Sequence, residues 1–385
     1  MQQRSAAHGG NLAWAAAIAG CSPSAILDFS ASISPLGPPQ SAIAAIQSRM
    51  GDIKAYPDPD YRELRAVLAE LHQVNPDWIL PGNGSAELLT LASWDFSQLA
   101  ETYLITPAFG DYRRALRAFG VNVVECPLSL ASTLSKTEAT ADLSQILQPR
   151  LMHRFRGMND TAPDAPIPPD CLANAGLLLN NPHNPTGKLF RRETILPYLK
   201  KFAFVVVDEA FMDFLPPEKQ ESLVQDVQDY PNLVILRSLT KFYSLPGLRL
   251  GYALAHPKRL QLWQSRRDPW AVNVLAVAAA AAVVRDTAFE QVSRAWLPTA
   301  RAQLFEGIAQ LPGLRPYPSA ANFILVESEY STSKLQQKLL RQYKILIRDC
   351  LSFPELGERY FRIAVRSSSD NQRLLASLAA ILNSD

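Results

Sequence analysis

Four uninterrupted apolar runs constrain the fold of this chain more than any other feature: AGLLLN from Ala175, FAFVVVD from Phe202, LVILRS from Leu233 and RLGYALA from Arg249. A strand with one wet face alternates polar and apolar residues, whereas a continuous run is covered on both faces. With helix-length segments between them, such runs read as a mostly parallel sheet sandwiched between helices. Ligands of such sheets bind beyond the carboxyl ends of the strands. Phe109, Asn184, Asp208 and Lys241 all fall at that end of an expected strand. Lys241 sits between two strand-like runs, where it is either a solvated loop lysine or an amine poised to form an imine with an aldehyde cofactor. Its shared placement with Asp208 favours the chemical role.

Composition narrows the classes. A chain of 385 residues, 48% hydrophobic, suffices for a two-domain globular protein. A net charge of +2 with well-mixed signs argues against a nucleic acid or a membrane surface as the main partner. Cys21, Cys126, Cys171 and Cys350 are scattered without metal-binding or redox spacing, which suits a reduced, cytoplasmic setting and predicts no metal site. Ile18-Ala19-Gly20-Cys21 has the form of a lipoprotein cleavage box, but the apolar run before it is short. Asn11 and Trp14 fit a short amphipathic helix ending at Gly20, the reading we adopt. The apolar segment Trp270–Val284 contains Asn273 and is too short to span a bilayer.

The first 40 residues, with His8 in HGGN and a Ser/Pro/Gly-rich stretch carrying Ser32 and Ser34, read as an extended arm joining a small C-terminal domain. Residues 41–270 read as the large domain. In it Asp58 and Pro59 are an expected helix start, with Leu64, Val67, Leu68 and Leu71 as the apolar face, a structural explanation that does not extend to Tyr56 and leaves it open. The turn at Gly82, Asn83, Gly84 and Ser85 opens a helix, whose free N–H groups can cradle a phosphate. Phe109 and Tyr112 after the next strand are core aromatics unless polar groups converge on them. Residues 151–170 read as a surface insertion. A carboxylate closing VVVD is costly if buried unpaired, but against a pyridinium nitrogen Asp208 forms an ion pair that keeps the ring protonated. Residues 271–385 read as a smaller α+β domain whose strands carry Arg348, Arg362 and Arg366, expected clamps for carboxylate or phosphate.

NNPHNPTG, VVVDEAF and SLTKFYSLPGLRLGY together resemble the fold-type I pyridoxal-phosphate enzymes, the class of aspartate and histidinol-phosphate aminotransferases. The likeness spans nearly the whole chain. It implies the α/β aspartate-aminotransferase fold, with pyridoxal 5'-phosphate as cofactor. By that resemblance Lys241 makes the covalent link, Asp208 holds the pyridine nitrogen, Asn184 bonds the ring hydroxyl and Phe109 stacks on the ring. Gly84, Ser85, Ser238 and Arg249 would hold the cofactor phosphate, and Tyr56 would reach it from the other subunit of a homodimer. Arg362 looks like the substrate-carboxylate arginine. Within the class, HGGN, LDFSASISPLG, YPDP, LIRDCLSFPEL and RYFRIAVR are similar to the threonine-phosphate decarboxylases of cobalamin biosynthesis. So is Phe211, where aminotransferases have a tyrosine. Ser32 and Ser34 depart from that pattern, which implies asparagine at both.

The bond broken in such a site is the one held perpendicular to the cofactor ring. A clamp on a side-chain phosphate, with His8, Ser32 and Arg348 as candidates, can turn the α-carboxylate out of plane and release carbon dioxide; a clamp that turns Cα–H gives transamination. The resemblance implies decarboxylation of O-phospho-L-threonine to (R)-1-amino-2-propanol phosphate. Transamination of histidinol phosphate or a related substrate is the alternative. A binding module that kept only the scaffold predicts an incomplete Lys–Asp–Arg set, and the set is complete.

Overall fold

The computed structural model describes residues 9–130, 139–156 and 172–383. The four apolar runs lie side by side in a seven-stranded sheet, ordered Ile79–Gly82, Gly251–Ala255, Leu233–Ser238, Phe204–Asp208, Ala175–Asn180, Glu101–Thr106 and Val123–Pro127. Only Gly251–Ala255 runs against its neighbours. The continuous runs are explained by two apolar layers. Leu177, Leu179, Val205, Val207 and Ile235 face one core, while Leu178, Val206, Val234 and Leu236 face a second on the other side. The helices Ser85–Phe96, Gly110–Ala118 and Pro257–Gln264 cover that second face. This is the expected α/β fold with a mostly parallel sheet.

A four-stranded antiparallel sheet follows, ordered Leu314–Pro316, Phe323–Ser328, Tyr360–Ala364 and Arg348–Asp349. The run KILIRDC is two strands rather than one. Arg348–Asp349 joins this sheet, while Ile345–Leu346 pairs in parallel with Leu27–Asp28 of the N-terminal segment.

That pairing shows that the Ser/Pro/Gly-rich stretch, expected to extend without packing, is packed, while the short helix expected to end at Gly20 is present. Leu12–Ala19 is a helix, capped by Asn11 accepting from the Trp14 N–H at 3.0 Å and ended by Gly20 in the left-handed region. Phe29 is fully buried, its N–H donating to Leu346 O and its carbonyl accepting from Ala364 N, both at 2.8 Å. The residues around Ile18-Ala19-Gly20-Cys21 thus end a packed helix.

The expected helix start at Asp58-Pro59 is displaced: the helix is Arg62–His72. Tyr61 holds φ 49° because its buried hydroxyl donates to Pro269 O at 3.1 Å and accepts from Val272 N at 3.0 Å. Asp58 still accepts from the Arg62 N–H at 3.1 Å. Leu64, Val67 and Leu68 are buried, but Leu71 is exposed. The expected domain boundary at residue 270 falls ahead of helix Val274–Val283, which packs on helices Gln40–Ser48 and Arg62–His72. The proposed insertion begins inside helix Ser144–Arg156, and most of it, like His8, lies outside the described residues. No described helix is long and apolar enough to cross a membrane.

Candidate active site

A cavity of about 270 Å³ opens at the carboxyl ends of the central strands. Strand Phe204–Asp208 delivers Asp208 to it, and strand Leu233–Ser238 delivers Ser238 and, after a short helical turn, Lys241. Ser238 caps that turn, its Oγ accepting from the Thr240 N–H at 3.4 Å and lying 2.7 Å from Thr240 Oγ1. The Asp208 carboxylate accepts from the Ala210 N–H at 3.0 Å on Oδ1 and from the Tyr112 hydroxyl at 2.8 Å on Oδ2. Burial raises its pKa, opposed by those two donors and by the Lys241 charge. Burial, and then repulsion from Arg249 and Arg362, lowers the pKa of Lys241 to about 8. A lysine with that pKa is neutral in about one molecule in ten at pH 7, far more than at the ordinary value, and the neutral amine is what nucleophilic attack on an aldehyde requires.

One end of the cavity is built for an anion. Helix Ser85–Phe96 points its N-terminus inward, and Gly84 precedes it at φ 74°. A Cβ on Gly84 would come within 2.6 Å of Arg249 Nη2, so only glycine leaves the guanidinium against the helix end. Ser85, Ser238 and Thr240 hydroxyls line the same cavity. Free backbone N–H groups, one guanidinium and several hydroxyls are a donor set for a phosphate dianion.

The opposite side is built from distant segments. The Arg362 guanidinium donates to Asn184 Oδ1 at 2.6 Å and to Ser30 O at 3.0 Å, and stacks over Phe323 with 4.9 Å to the ring centre. Burial, and then the neighbouring Arg348, lowers its pKa to about 10. Its Nε and the Ser32 hydroxyl are both buried without a hydrogen-bond partner. Phe211 packs edge-on against Phe323, and Phe109 caps helix Gly110–Ala118 at the cavity wall.

The cavity therefore brings together Ser32, Gly84, Ser85, Phe109, Asn184, Asp208, Phe211, Ser238, Lys241, Arg249 and Arg362. It does not reach two of the expected residues. Tyr56 is 78% exposed and stacks on Trp270 outside it. Arg348 is buried beside Arg362 on the adjacent strand and donates to Ser352. His8 lies outside the described residues. Sequence reasoning reads Tyr112 as core unless polar groups converge on it, and does not single out Asn180, Gly9 or Ser30. Helical spacing from Phe109 was the available signal for Tyr112, since positions three apart share a helix face. No described group of His, Cys, Asp and Glu could hold a metal.

An anion cradle, a buried carboxylate, an aromatic wall and an amine of lowered pKa in one cavity fit pyridoxal phosphate. Residues 24–378 match the family "Aminotransferase class I and II". This chain belongs to that family. Its cofactor is pyridoxal 5'-phosphate. The chain is 39% identical to the threonine-phosphate decarboxylase of Salmonella typhimurium, over 98% of this chain and 96% of that protein. It is 32% identical to a histidinol-phosphate aminotransferase of Symbiobacterium thermophilum, covering 90% and 88%. Among solved structures, the histidinol-phosphate aminotransferase of Clostridium acetobutylicum superposes with a TM-score of 0.79 at 26% identity, over 94% of this chain and all of that one.

Proposed function

We propose that this family member decarboxylates O-phospho-L-threonine to (R)-1-amino-2-propanol phosphate, a step of cobalamin biosynthesis. The observation that carries the reading is the near full-length, 39% identity to a threonine-phosphate decarboxylase. Phe211 at the cavity wall supports it, because a phenylalanine supplies no hydroxyl there.

Bound pyridoxal phosphate supplies the electron sink for the pair left when a bond at Cα breaks. The protein's own residues do the rest. Gly84, Ser85, Ser238 and Arg249 hold the cofactor phosphate, Phe109 covers the ring and Asp208 keeps the ring nitrogen protonated. Asn184, its carbonyl oxygen engaged by Arg362, keeps its NH₂ as the donor to the ring hydroxyl. Arg362 orients the substrate carboxylate. Ser32, with His8, serves the substrate phosphate, which turns the Cα–carboxylate bond toward cleavage, while Arg348 stands outside the cavity beside Arg362 on the adjacent strand. After carbon dioxide departs, Lys241 Nζ returns a proton to Cα.

Tyr56 is proposed to act across a homodimer, one protomer's ring reaching its partner's cavity. Its exposure while stacked on the exposed Trp270 supports that. We place the enzyme in the cytoplasm, in keeping with the free thiols of Cys21, Cys126 and Cys350.

Histidinol-phosphate aminotransferase activity is the second reading, favoured by the relatives of that activity. Purified enzyme given O-phospho-L-threonine with 2-oxoglutarate separates the two. Decarboxylation releases carbon dioxide and aminopropanol phosphate without consuming the oxo acid. Glutamate formation without carbon dioxide would overturn the assignment.

A further inference from the structure

Asp208 is the one carboxylate at the end of a central strand in the cavity, and what surrounds it decides how strongly it pulls on a proton. One oxygen takes the Ala210 N–H at 3.0 Å, the other the Tyr112 hydroxyl at 2.8 Å. Tyr112 is 2% exposed and is the only tyrosine among the described residues that line the cavity. Its ring is fixed by an edge-on contact with Phe109, at 5.7 Å and 86°, so the hydroxyl cannot swing away without disturbing the cavity wall. The helix that carries both is itself pinned. Arg113, the next residue, donates to Glu125 on the edge strand of the large sheet at 2.9 Å and to Glu355, from the C-terminal part of the chain, at 2.5 Å.

We infer that Tyr112 is a positioning residue for the cofactor: its hydroxyl holds Asp208 in one rotamer and sets the basicity of the carboxylate that faces the ring nitrogen. A hydrogen bond to a carboxylate stabilises the charged form, so it weakens the pull of Asp208 on the proton it shares with the ring. Without the phenol, Asp208 becomes the stronger base and draws that proton from the ring toward itself, leaving a poorer electron sink. Phe211 offers no hydroxyl, so among the described residues lining the cavity Tyr112 brings the single phenol, and brings it to the nitrogen end of the ring. The burial that pushes the Tyr112 pKa well above 10 keeps this group a donor across the working pH range.

This inference rests on the reading that Asp208 meets the cofactor nitrogen, and it is independent of which substrate is used. The test is a double-mutant cycle on cofactor affinity, read by titrating apo-protein with pyridoxal phosphate and following bound-cofactor absorbance. Tyr112→Phe keeps the ring packing and removes only the hydroxyl. It is expected to weaken cofactor binding roughly tenfold in the wild-type background, the range for a charge-assisted hydrogen bond. In the Asp208→Asn background the same change is expected to have less than a twofold effect. With cofactor labelled by ¹⁵N in the ring, Tyr112→Phe should move the nitrogen resonance toward the unprotonated position. Equal losses in both backgrounds, or an unmoved resonance, would reduce Tyr112 to a packing residue and overturn the inference. If Asp208→Asn itself leaves both affinity and resonance unchanged, the failure lies instead with Asp208 as the ring's partner.

Discussion

The two sides of the cavity are built by different means. The cofactor side is the carboxyl edge of one sheet: Asp208 ends a strand, Ser238 ends its neighbour, and Lys241 follows within a turn. The substrate side is assembled across the chain, Arg362 meeting Ser30 at a sequence separation of 332 and Asn184 at 178. Strand ends are placed by burial of the strands behind them, a local and cooperative constraint. The arm is placed by backbone pairing of Leu27–Asp28 with Ile345–Leu346 and by Phe29 entering the core. The cofactor side is thus rigid by construction, and the substrate side is the part that can change between family members without unmaking the fold.

Substitutions should respect that division. The largest effect is expected from Lys241→Ala, which should erase the absorbance of bound cofactor and lower turnover on the order of 10³-fold. A retained band would show that the covalent link lies elsewhere. Arg362→Ala should lower kcat/KM about 10²-fold, the cost of leaving a buried carboxylate without its partner, while cofactor affinity falls only a few-fold, through the Asn184 side chain it releases. If cofactor affinity fell in step, the two sides would be one coupled unit.

A third change probes what holds the sheet edge from behind. His72 Nε2 lies 2.8 Å from the Tyr252 hydroxyl, on the strand next to Ser238, and burial lowers its pKa to about 3. Its unfolded value is near 6.5, so between those limits the unfolded chain binds one more proton. Its contribution to stability is complete above about pH 6.5 and declines with acidification, by up to ~1.4 kcal/mol per pH unit. His72→Gln should flatten the wild-type fall in denaturant stability between pH 6.5 and 4 by that amount; parallel curves would contradict it. The smallest effect is expected from Ser32→Ala, which removes an unpartnered hydroxyl and should raise KM for the phosphorylated substrate a few-fold with kcat little altered.

The same division explains what was legible in the sequence. VVVDEAF and SLTK announce strands, their ends and the residues just beyond, because continuous apolar runs and their terminal polar residues are local signals. The arm's Ser/Pro/Gly-rich stretch carries no helical or strand period in sequence. Its packing depends on residues more than 300 positions away, and no local pattern reports a parallel pair of two-residue strands. Tyr112 was weighed as core, correctly as to burial, because nothing in sequence reveals that its hydroxyl meets Asp208 across a separation of 96. KILIRDC hid a break for the same reason: its two halves answer to different partners.

Each of these roles depends on one covalent attachment at the sheet edge. Borohydride reduction of the holo-protein, followed by peptide mass spectrometry, locates it directly. The predicted result is a single pyridoxyl-phosphate adduct on Lys241, absent after Lys241→Ala. An adduct on any other lysine, with Lys241 unmodified, would contradict the placement of the cofactor in this cavity.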